Sequence, residues 1–174
     1  MPRASPPQLR IEPLEPHHDR PGFACGVASL DQYLHTQAGQ DLRRKAASVF
    51  VLVDLRDPGA VLGYYTLAAT AVPQGDIPAA ARKHIPRYPL VSATLVGRLA
   101  VARALQDRGL GALLLADAWH RAFVSASSVG SSMLVVDAIS EEAAAFYAAY
   151  GFLRLPDTRR LILPMVTIGR LLSS

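Results

Sequence analysis

The 174-residue sequence predicts one α/β fold in which helices flank a mixed, mostly antiparallel sheet, and three observations lead to it. Two apolar runs, 48–54 and 60–72, are separated by the turn sequence Arg56-Asp-Pro-Gly, which is typical of an antiparallel hairpin. A third apolar run, 90–101, ends in a glycine-containing turn that leads directly into a long helical pattern. The run 133–138 is likewise a buried strand followed by a helical pattern.

The other segments complete this pattern. Alternation from Leu9 to Leu14 predicts the first strand, and apolar residues at helical spacing over 26–44 predict one or two helices. Residues 73–89, rich in proline and basic side chains, predict an irregular connection. Near the C-terminus, a turn over 156–159 is expected to lead into a final strand over 161–166.

Composition limits the classes of protein. Apolar residues make up 51% of the chain, which excludes a disordered protein, and the net charge of +4 favours acidic partners such as coenzyme phosphates or RNA. The single cysteine, Cys25, excludes an internal disulfide and fits a reducing, cytoplasmic location. No secretory signal and no membrane-spanning run is visible. We expect a loose tail over 1–8 and a single domain over 9–174, because no linker interrupts the pattern.

The turn Gln106-x-x-Gly109-x-Gly111 is the first candidate for a ligand site. Glycines allow close approach of a ligand to the backbone, and the following helix directs unpaired N–H groups and its positive dipole end at the turn. These features suit a phosphate or pyrophosphate. The turn is not a P-loop, because Gly-Lys-Ser/Thr is missing, and Leu114 makes it a poor dinucleotide fingerprint. An ordinary strand-to-helix turn is the alternative.

The segment 140–152 is the second candidate. Ser140 is expected to be the N-cap of a short helix with acidic residues in its first turn, and Gly151 to end it. Spacing alone makes Tyr147 a residue packed between helix and sheet, whose hydroxyl could find any partner.

These two elements resemble the GCN5-related N-acetyltransferases (GNAT). The Gln106 turn matches the pyrophosphate loop for acetyl-coenzyme A in that family, and 140–152 is similar to its "N-x-x-A-x-x-x-Y…G-F" helix. Further segments resemble the toxins of bacterial toxin–antitoxin pairs that acetylate aminoacyl-tRNA. These segments are Phe23 to Leu34, Gln40-Asp41, Gly63 to Leu67, Pro86-Arg-Tyr-Pro89 and Gly97 to Val101.

The resemblance implies a GNAT fold with splayed central strands and an N-acetyltransferase that takes acetyl-coenzyme A as co-substrate. Backbone groups of the strand before the turn would pair with pantetheine, and the turn would hold the pyrophosphate. Tyr147 would donate a proton to the departing thiolate, whose pKa is near ~8.5. The implied cofactor-binding residues are Leu99, Ala100, Val101, Gln106, Asp107, Arg108, Gly109, Leu110, Gly111, Ala112 and Ser140.

Three positions depart from the family pattern. Ser140 stands where asparagine is frequent, Asp107 where toxin relatives often carry glycine, and Ala102 where an acidic residue is common. Asp107 would place an unfavourable charge beside phosphate, which Arg108 could offset.

The acidic substrate is expected to contact Arg82, Lys83, Arg87 and Arg98, since the first three precede the cofactor strand in one loop. Further basic candidates are Arg43, Arg44, Lys45, His84, Arg159 and Arg160, and an ordinary solvated basic face is the alternative. No metal site is expected: His17-His18-Asp19 is interpreted as surface, and Cys25 as a buried small hydrophobe.

The expected partners are aminoacyl-tRNA as substrate and a small ribbon-helix-helix antitoxin, without a membrane; the resemblance also allows a homodimer. The sequence provides no obvious general base, which suits an α-amine that is partly neutral near its pKa of ~7.7–8.0. Two other functions remain open: acetylation of a small-molecule or protein amine, and an inactive cofactor- or partner-binding module.

Overall fold

The structure, a computed structural model, describes residues 6–174, so part of the predicted tail over 1–8 lies outside the described residues. Its strands are β1 (Leu9–Pro13), β2 (Ser48–Asp54), β3 (Gly63–Pro73), β4 (Leu90–Val101), β5 (Met133–Asp137), β6 (Leu153–Arg154) and β7 (Arg160–Pro164). Its helices are α1 (Ala28–Gln32), α2 (Ala38–Arg43), α3 (Ala79–Arg82), α4 (Leu110–Ser125), α5 (Glu141–Ala149) and α6 (Met165–Ser173). A π-helical turn (Tyr33–Gln37) joins α1 to α2, and 3₁₀ turns cover Gln74–Asp76 and Arg103–Leu105.

The strands form one sheet in the order β1-β2-β3-β4-β5-β7-β6. β1 pairs antiparallel with β2, and β7 pairs antiparallel with both β5 and β6. β4 and β5 are parallel, as expected for strands joined through a helix. The predicted mixed, mostly antiparallel sheet flanked by helices is therefore confirmed.

Two compact units make up the described chain, residues 6–66 with 99–115, and residues 67–98 with 116–174. The core of the first unit surrounds Tyr64, which is fully buried and contacts Phe23 edge to face at 5.5 Å. The Tyr64 hydroxyl donates a 2.6 Å hydrogen bond to the carbonyl of Leu30, so this buried polar atom is satisfied. This contact fixes α1 against β3.

The core of the second unit lies on one face of β5. Met133 and Val135 are fully buried there, together with Ile77 and Ala81 from the connection that precedes β4. Side chains alternate along a strand, so Asp137 points to the same face as Met133 and Val135. The connection predicted as irregular thus contains α3 and covers this face.

Two expectations about the secondary structure were wrong. The final strand ends at Pro164, and Met165 begins helix α6, because the buried positions Met165 and Ile168 follow the three-residue spacing of a helix. A short apolar run does not by itself distinguish these states. Helical spacing predicts an apolar stripe on α4 formed by Ala112, Leu115, Ala116, Trp119, Ala122 and Phe123. Ala116 and Phe123 are instead exposed, whereas Leu114 and Ala118, outside the stripe, are fully buried. Among the described residues, we find no helix with the length and apolar character that crossing a membrane requires.

Candidate active site

The turn between β4 and α4 belongs to the first unit and is held there by backbone and side-chain hydrogen bonds. The N–H of Ala102 donates to the Leu62 carbonyl at 2.8 Å, and that of Arg103 donates to the Ala24 carbonyl at 2.9 Å. The Gln106 amide nitrogen donates to the carbonyls of Cys25 and Val101 at 2.7 and 3.0 Å. Gln106 therefore holds the turn in shape, a role that the motif did not reveal.

The same turn contains two residues in the left-handed region of the backbone. Asp107 has φ of 64° and Gly109 has φ of 79°. This conformation is easy for glycine, and aspartate tolerates it better than most residues do. Position 107 therefore has a backbone conformation that favours glycine.

Helix α4 begins at Leu110. The N–H of Leu113 donates a hydrogen bond to the carbonyl of Gly109, the residue before the helix, at 3.2 Å. The N–H groups of Leu110, Gly111 and Ala112 belong to the first turn, where no carbonyl precedes them within the helix. The exposed residues 106–109 lie directly before them. This arrangement can bind an anion such as a pyrophosphate.

The segment around Cys25 contacts residues of this turn. Gly26 has φ of 94°, a conformation that favours glycine, and a Cβ there would lie 2.8 Å from the Arg103 guanidinium, which would have to move. The Cys25 thiol is buried as expected, and burial raises its pKa to about 11. It is therefore a protonated thiol and a poor nucleophile at neutral pH.

Helix α5 has the ends that the sequence predicts. The Ser140 hydroxyl accepts the N–H of Ala143 at 3.1 Å, which confirms the N-cap, and Gly151 has φ of 95° after the last turn. Glu141 in the first turn pairs with Arg154 at 2.7 Å.

Tyr147 lies on α5 with 6% of its surface exposed. Its ring packs edge to face against Phe146 and Phe152, at centroid distances of 5.2 and 5.7 Å. Its hydroxyl makes no hydrogen bond to any residue that the structure describes, and burial raises the pKa of the phenol well above its ordinary value. The hydroxyl thus stays protonated at neutral pH, and no described residue competes with a ligand for a hydrogen bond to it.

The predicted substrate residues divide into two groups. Arg82, Lys83 and Arg87 are exposed on the connection that precedes β4, and the Arg82 Nε donates to the Ile77 carbonyl at 2.9 Å. Tyr88, 66% exposed, follows them directly. Arg98 instead lies half-buried within β4, where it already has a partner. The structure therefore gathers three of the four cations on one segment.

The interpretation of His18 as a surface residue was wrong, because its side chain is fully buried. Glu12, His17 and His18 lie close enough to share an ion. However, the Nε2 of His18 bonds Glu12 at 2.8 Å, and its Nδ1 accepts the Glu15 N–H at 2.9 Å. A neutral imidazole in this tautomer has no lone pair left for a metal. The network therefore has a structural role.

Comparison with known proteins places this chain in a family. No family model matches it. It is 39% identical over 134 residues to a tRNA-acetylating toxin of Mycobacterium tuberculosis, covering 77% of this chain and 78% of the relative. The chain belongs to the GNAT-type tRNA-acetylating toxins. A probable toxin TacT of Sinorhizobium fredii is 26% identical to this toxin-family chain over 171 residues, 93% of this chain and 94% of the relative.

Solved structures agree with this membership. A tyrosine-to-phenylalanine mutant of KacT superposes on this toxin with a TM-score of 0.88 and 30% identity, covering 94% of this chain and 99% of KacT. AtaT complexed with acetyl-methionyl-tRNA superposes with a TM-score of 0.86 and 32% identity, covering 95% and 99%. AtaTR bound with acetyl-coenzyme A gives a TM-score of 0.82 and 31% identity, covering 95% and 98%. This toxin is thus an acetyltransferase of the GNAT fold.

Proposed function

We propose that this toxin transfers the acetyl group of acetyl-coenzyme A to the amino group of aminoacyl-tRNA and thereby blocks translation. The observation that carries the proposal is the 39% identity to a tRNA-acetylating toxin, together with the likeness to AtaT, which was solved with acetyl-methionyl-tRNA. The anion-binding turn and the unpartnered hydroxyl of Tyr147 are the chemical groups that such a transfer needs.

The described residues fit acetyl-coenzyme A. Its pyrophosphate would accept hydrogen bonds from the backbone between Arg108 and Ala112, at the positive end of α4. Pairing between β4 and β5 ends at Val96 and Val136, although β4 continues to Val101. Backbone groups of Leu99 to Val101 would bond the pantetheine amides there. Ser140, whose oxygen already accepts the N–H of Ala143, would donate its hydroxyl proton to the cofactor.

Acetyl-coenzyme A supplies an activated acetyl group as its thioester. The neutral amine attacks the carbonyl carbon, the C–N bond forms, and the C–S bond breaks. An N–H from the strand backbone would stabilise the negative charge that develops on the carbonyl oxygen. Tyr147 donates its phenolic proton to the departing sulfur, the amine loses a proton to water, and the phenolate then regains a proton from solvent.

The exposed cations would guide the tRNA. Arg82, Lys83, Arg87 and Arg98 would contact phosphates, and three of them lie on one segment beside the exposed ring of Tyr88. Each phosphate contact releases counterions, so activity on charged tRNA should fall steeply as salt rises. The exposed ring offers a surface on which a base could stack.

An antitoxin partner is supported by the neighbours, since AtaT is bound to the C-terminus of the antitoxin AtaR in one structure and KacTA is bound to DNA in another. For this toxin we propose a small ribbon-helix-helix antitoxin, a homodimeric assembly and action in the cytoplasm, where charged tRNA is found.

The experiment incubates the purified toxin with labelled acetyl-coenzyme A and charged tRNA, beside uncharged tRNA. We expect label on the charged pool alone, and loss of at least about 100-fold in rate for Tyr147→Phe. Tyr150→Phe, at the C-cap directly after the same helix and 39% exposed, is the matched control and should retain its rate. Label absent from tRNA, or present on small or protein amines instead, would refute the proposal.

A further inference from the structure

A cleft with charged and apolar walls lies within the unit formed by residues 67–98 and 116–174. It consists of two adjoining cavities of about 370 and 390 Å³, which share the lining residues Asp76, Leu155 and Thr158. Each cavity has the size of a small-molecule site. The sequence contains no motif that predicts this cleft.

Most charges along the cleft already have partners. Arg160 forms a two-pronged ion pair with Asp137, with Nε–Oδ1 and Nη2–Oδ2 distances of 2.8 and 2.9 Å. Arg159 lies 3.3 Å from Glu141 on α5. Arg82 lines the second cavity, with its Nε bonded to the Ile77 carbonyl.

Asp76 is different. Its carboxylate makes no hydrogen bond or ion pair within residues 6–174, although its charge, like that of Asp137, raises the pKa of Arg160. It lies at the boundary of the two cavities. Because Asp137 neutralises Arg160, the exposed carboxylate of Asp76 is an unpaired negative charge where the two cavities meet. The Arg82 guanidinium is a positive charge in the second cavity, without an anionic partner in the described part of the chain. Beside Asp76 a phosphate would be repelled, whereas a cation or an amine would be attracted.

The walls beside Asp76 are apolar. Val72 and Leu155 are buried and belong to the core on the Asp137 face of the sheet. Asp137 follows the last residue of β5 that pairs with β4. The cleft therefore offers a carboxylate for an amine, apolar walls for a side chain, and the remaining N–H groups of Arg82 for an anion at one end.

We propose that this cleft binds the aminoacyl end of the charged tRNA, with Asp76 accepting a hydrogen bond from its α-amino group. This inference rests on the proposed function and names the acceptor site for it. Asp76 is a positioning residue: it holds the amine, while the proton of the amine is lost to water. The acidic groups that line the cleft around the bound amine are Asp76 from the 3₁₀ turn and Asp137 from β5. The basic groups are Arg82 from α3, Arg159 from the turn before β7, and Arg160 from β7, and the hydroxyl of Thr158 lies in the same turn.

This role has a consequence for pH dependence. A carboxylate beside the amine stabilises the ammonium form and so raises the pKa of the bound amine. Removal of the charge should lower that pKa, and the rise of kcat with pH should then begin at lower pH. A merely structural contribution of Asp76 would not move this profile.

The test compares the wild type with Asp76→Asn in steady-state acetylation of charged tRNA from pH 6 to 9. We expect the KM for charged tRNA to rise about fivefold or more and the midpoint of the kcat profile to fall by about half a unit or more. The KM for acetyl-coenzyme A should stay unchanged. Asp157→Asn is the matched control, because Asp157 is an exposed carboxylate of the neighbouring turn outside the lining of both cavities, and its φ of 57° suits asparagine.

The outcomes separate the two proposals. If the wild type does not acetylate charged tRNA, the proposed function fails. If it does, but Asp76→Asn keeps the wild-type KM and pH profile while its melting temperature is unchanged, the assignment of the cleft is overturned. An equal change in Asp157→Asn would overturn it too.

Discussion

Asp107 allows a test that separates backbone strain from charge in the pyrophosphate turn. Its φ of 64° is left-handed, and its carboxylate directly precedes the anion-binding backbone. Asp107→Gly removes both the strain and the charge, whereas Asp107→Asn removes the charge alone. Asp157 has a similar φ of 57° in another exposed turn, so Asp157→Gly provides the same backbone change far from this loop in the sequence.

Two contributions set the expected size of the effect. A left-handed non-glycine residue costs about 1 kcal/mol, but the extra freedom of glycine in the unfolded chain cancels about 0.5–1 kcal/mol of this. The net change in the free energy of unfolding should therefore stay within about 0.5 kcal/mol for both glycine variants. A unit charge about 6 Å from each pyrophosphate charge costs of order 1 kcal/mol in total at the dielectric constant of water. Removal of the Asp107 charge should thus tighten binding of acetyl-coenzyme A about three- to tenfold.

The assay is calorimetric titration of acetyl-coenzyme A at two salt concentrations, with a melting curve for each variant. Asp107→Gly and Asp107→Asn should both bind more tightly than the wild type, and the gain should shrink at high salt. Asp157→Gly should bind as the wild type does. Unchanged or weaker binding in both Asp107 variants would refute the placement of the pyrophosphate in this turn.

Gln106 and Glu141 each make side-chain contacts whose loss should change a measurable property. Gln106→Ala removes the bonds to Cys25 and Val101, each worth about 1 kcal/mol. The KM for acetyl-coenzyme A should therefore rise by up to about thirtyfold while the KM for charged tRNA stays unchanged, and equal changes in both would contradict a local role. Hydrogen bonds from Arg154, and to a smaller extent from Arg159, lower the pKa of Glu141 from 4.5 to about 2. The stability that these bonds provide is therefore present above pH 4.5 and is lost as the pH falls toward 2. Melting temperatures should accordingly fall less between pH 4.5 and 2 in Glu141→Gln than in the wild type, and parallel curves would disprove this linkage.

Features that depend on neighbouring residues could be predicted from the sequence. The N-cap at Ser140, the glycine at the end of α5 and the full extent of β4 are set by residues within one turn or strand. The apolar run over 161–166 was ambiguous, because a short apolar run is compatible with either a strand or a helix. Local periodicity did not reveal that the segment after Pro164 packs as helix α6.

Features that depend on distant partners required the folded chain. Gln106 bonds the carbonyl of Cys25, 81 residues away in the sequence, and His18 is buried against Glu12. The free hydroxyl of Tyr147 and the unpaired carboxylate of Asp76 are likewise defined by what surrounds them.

The sequence by itself determined the family, the order of most strands and of helices α4 and α5, and the turn that suits a pyrophosphate. These follow from glycines, caps and apolar spacing, which act within a few residues along the chain. Only the tertiary structure decided which polar groups are satisfied and which remain available to a ligand. Hydrogen bonds, burial and charge pairs join residues that the sequence separates, and folding alone places Asp76 in a cleft where Arg159 and Arg160 are already paired with Glu141 and Asp137.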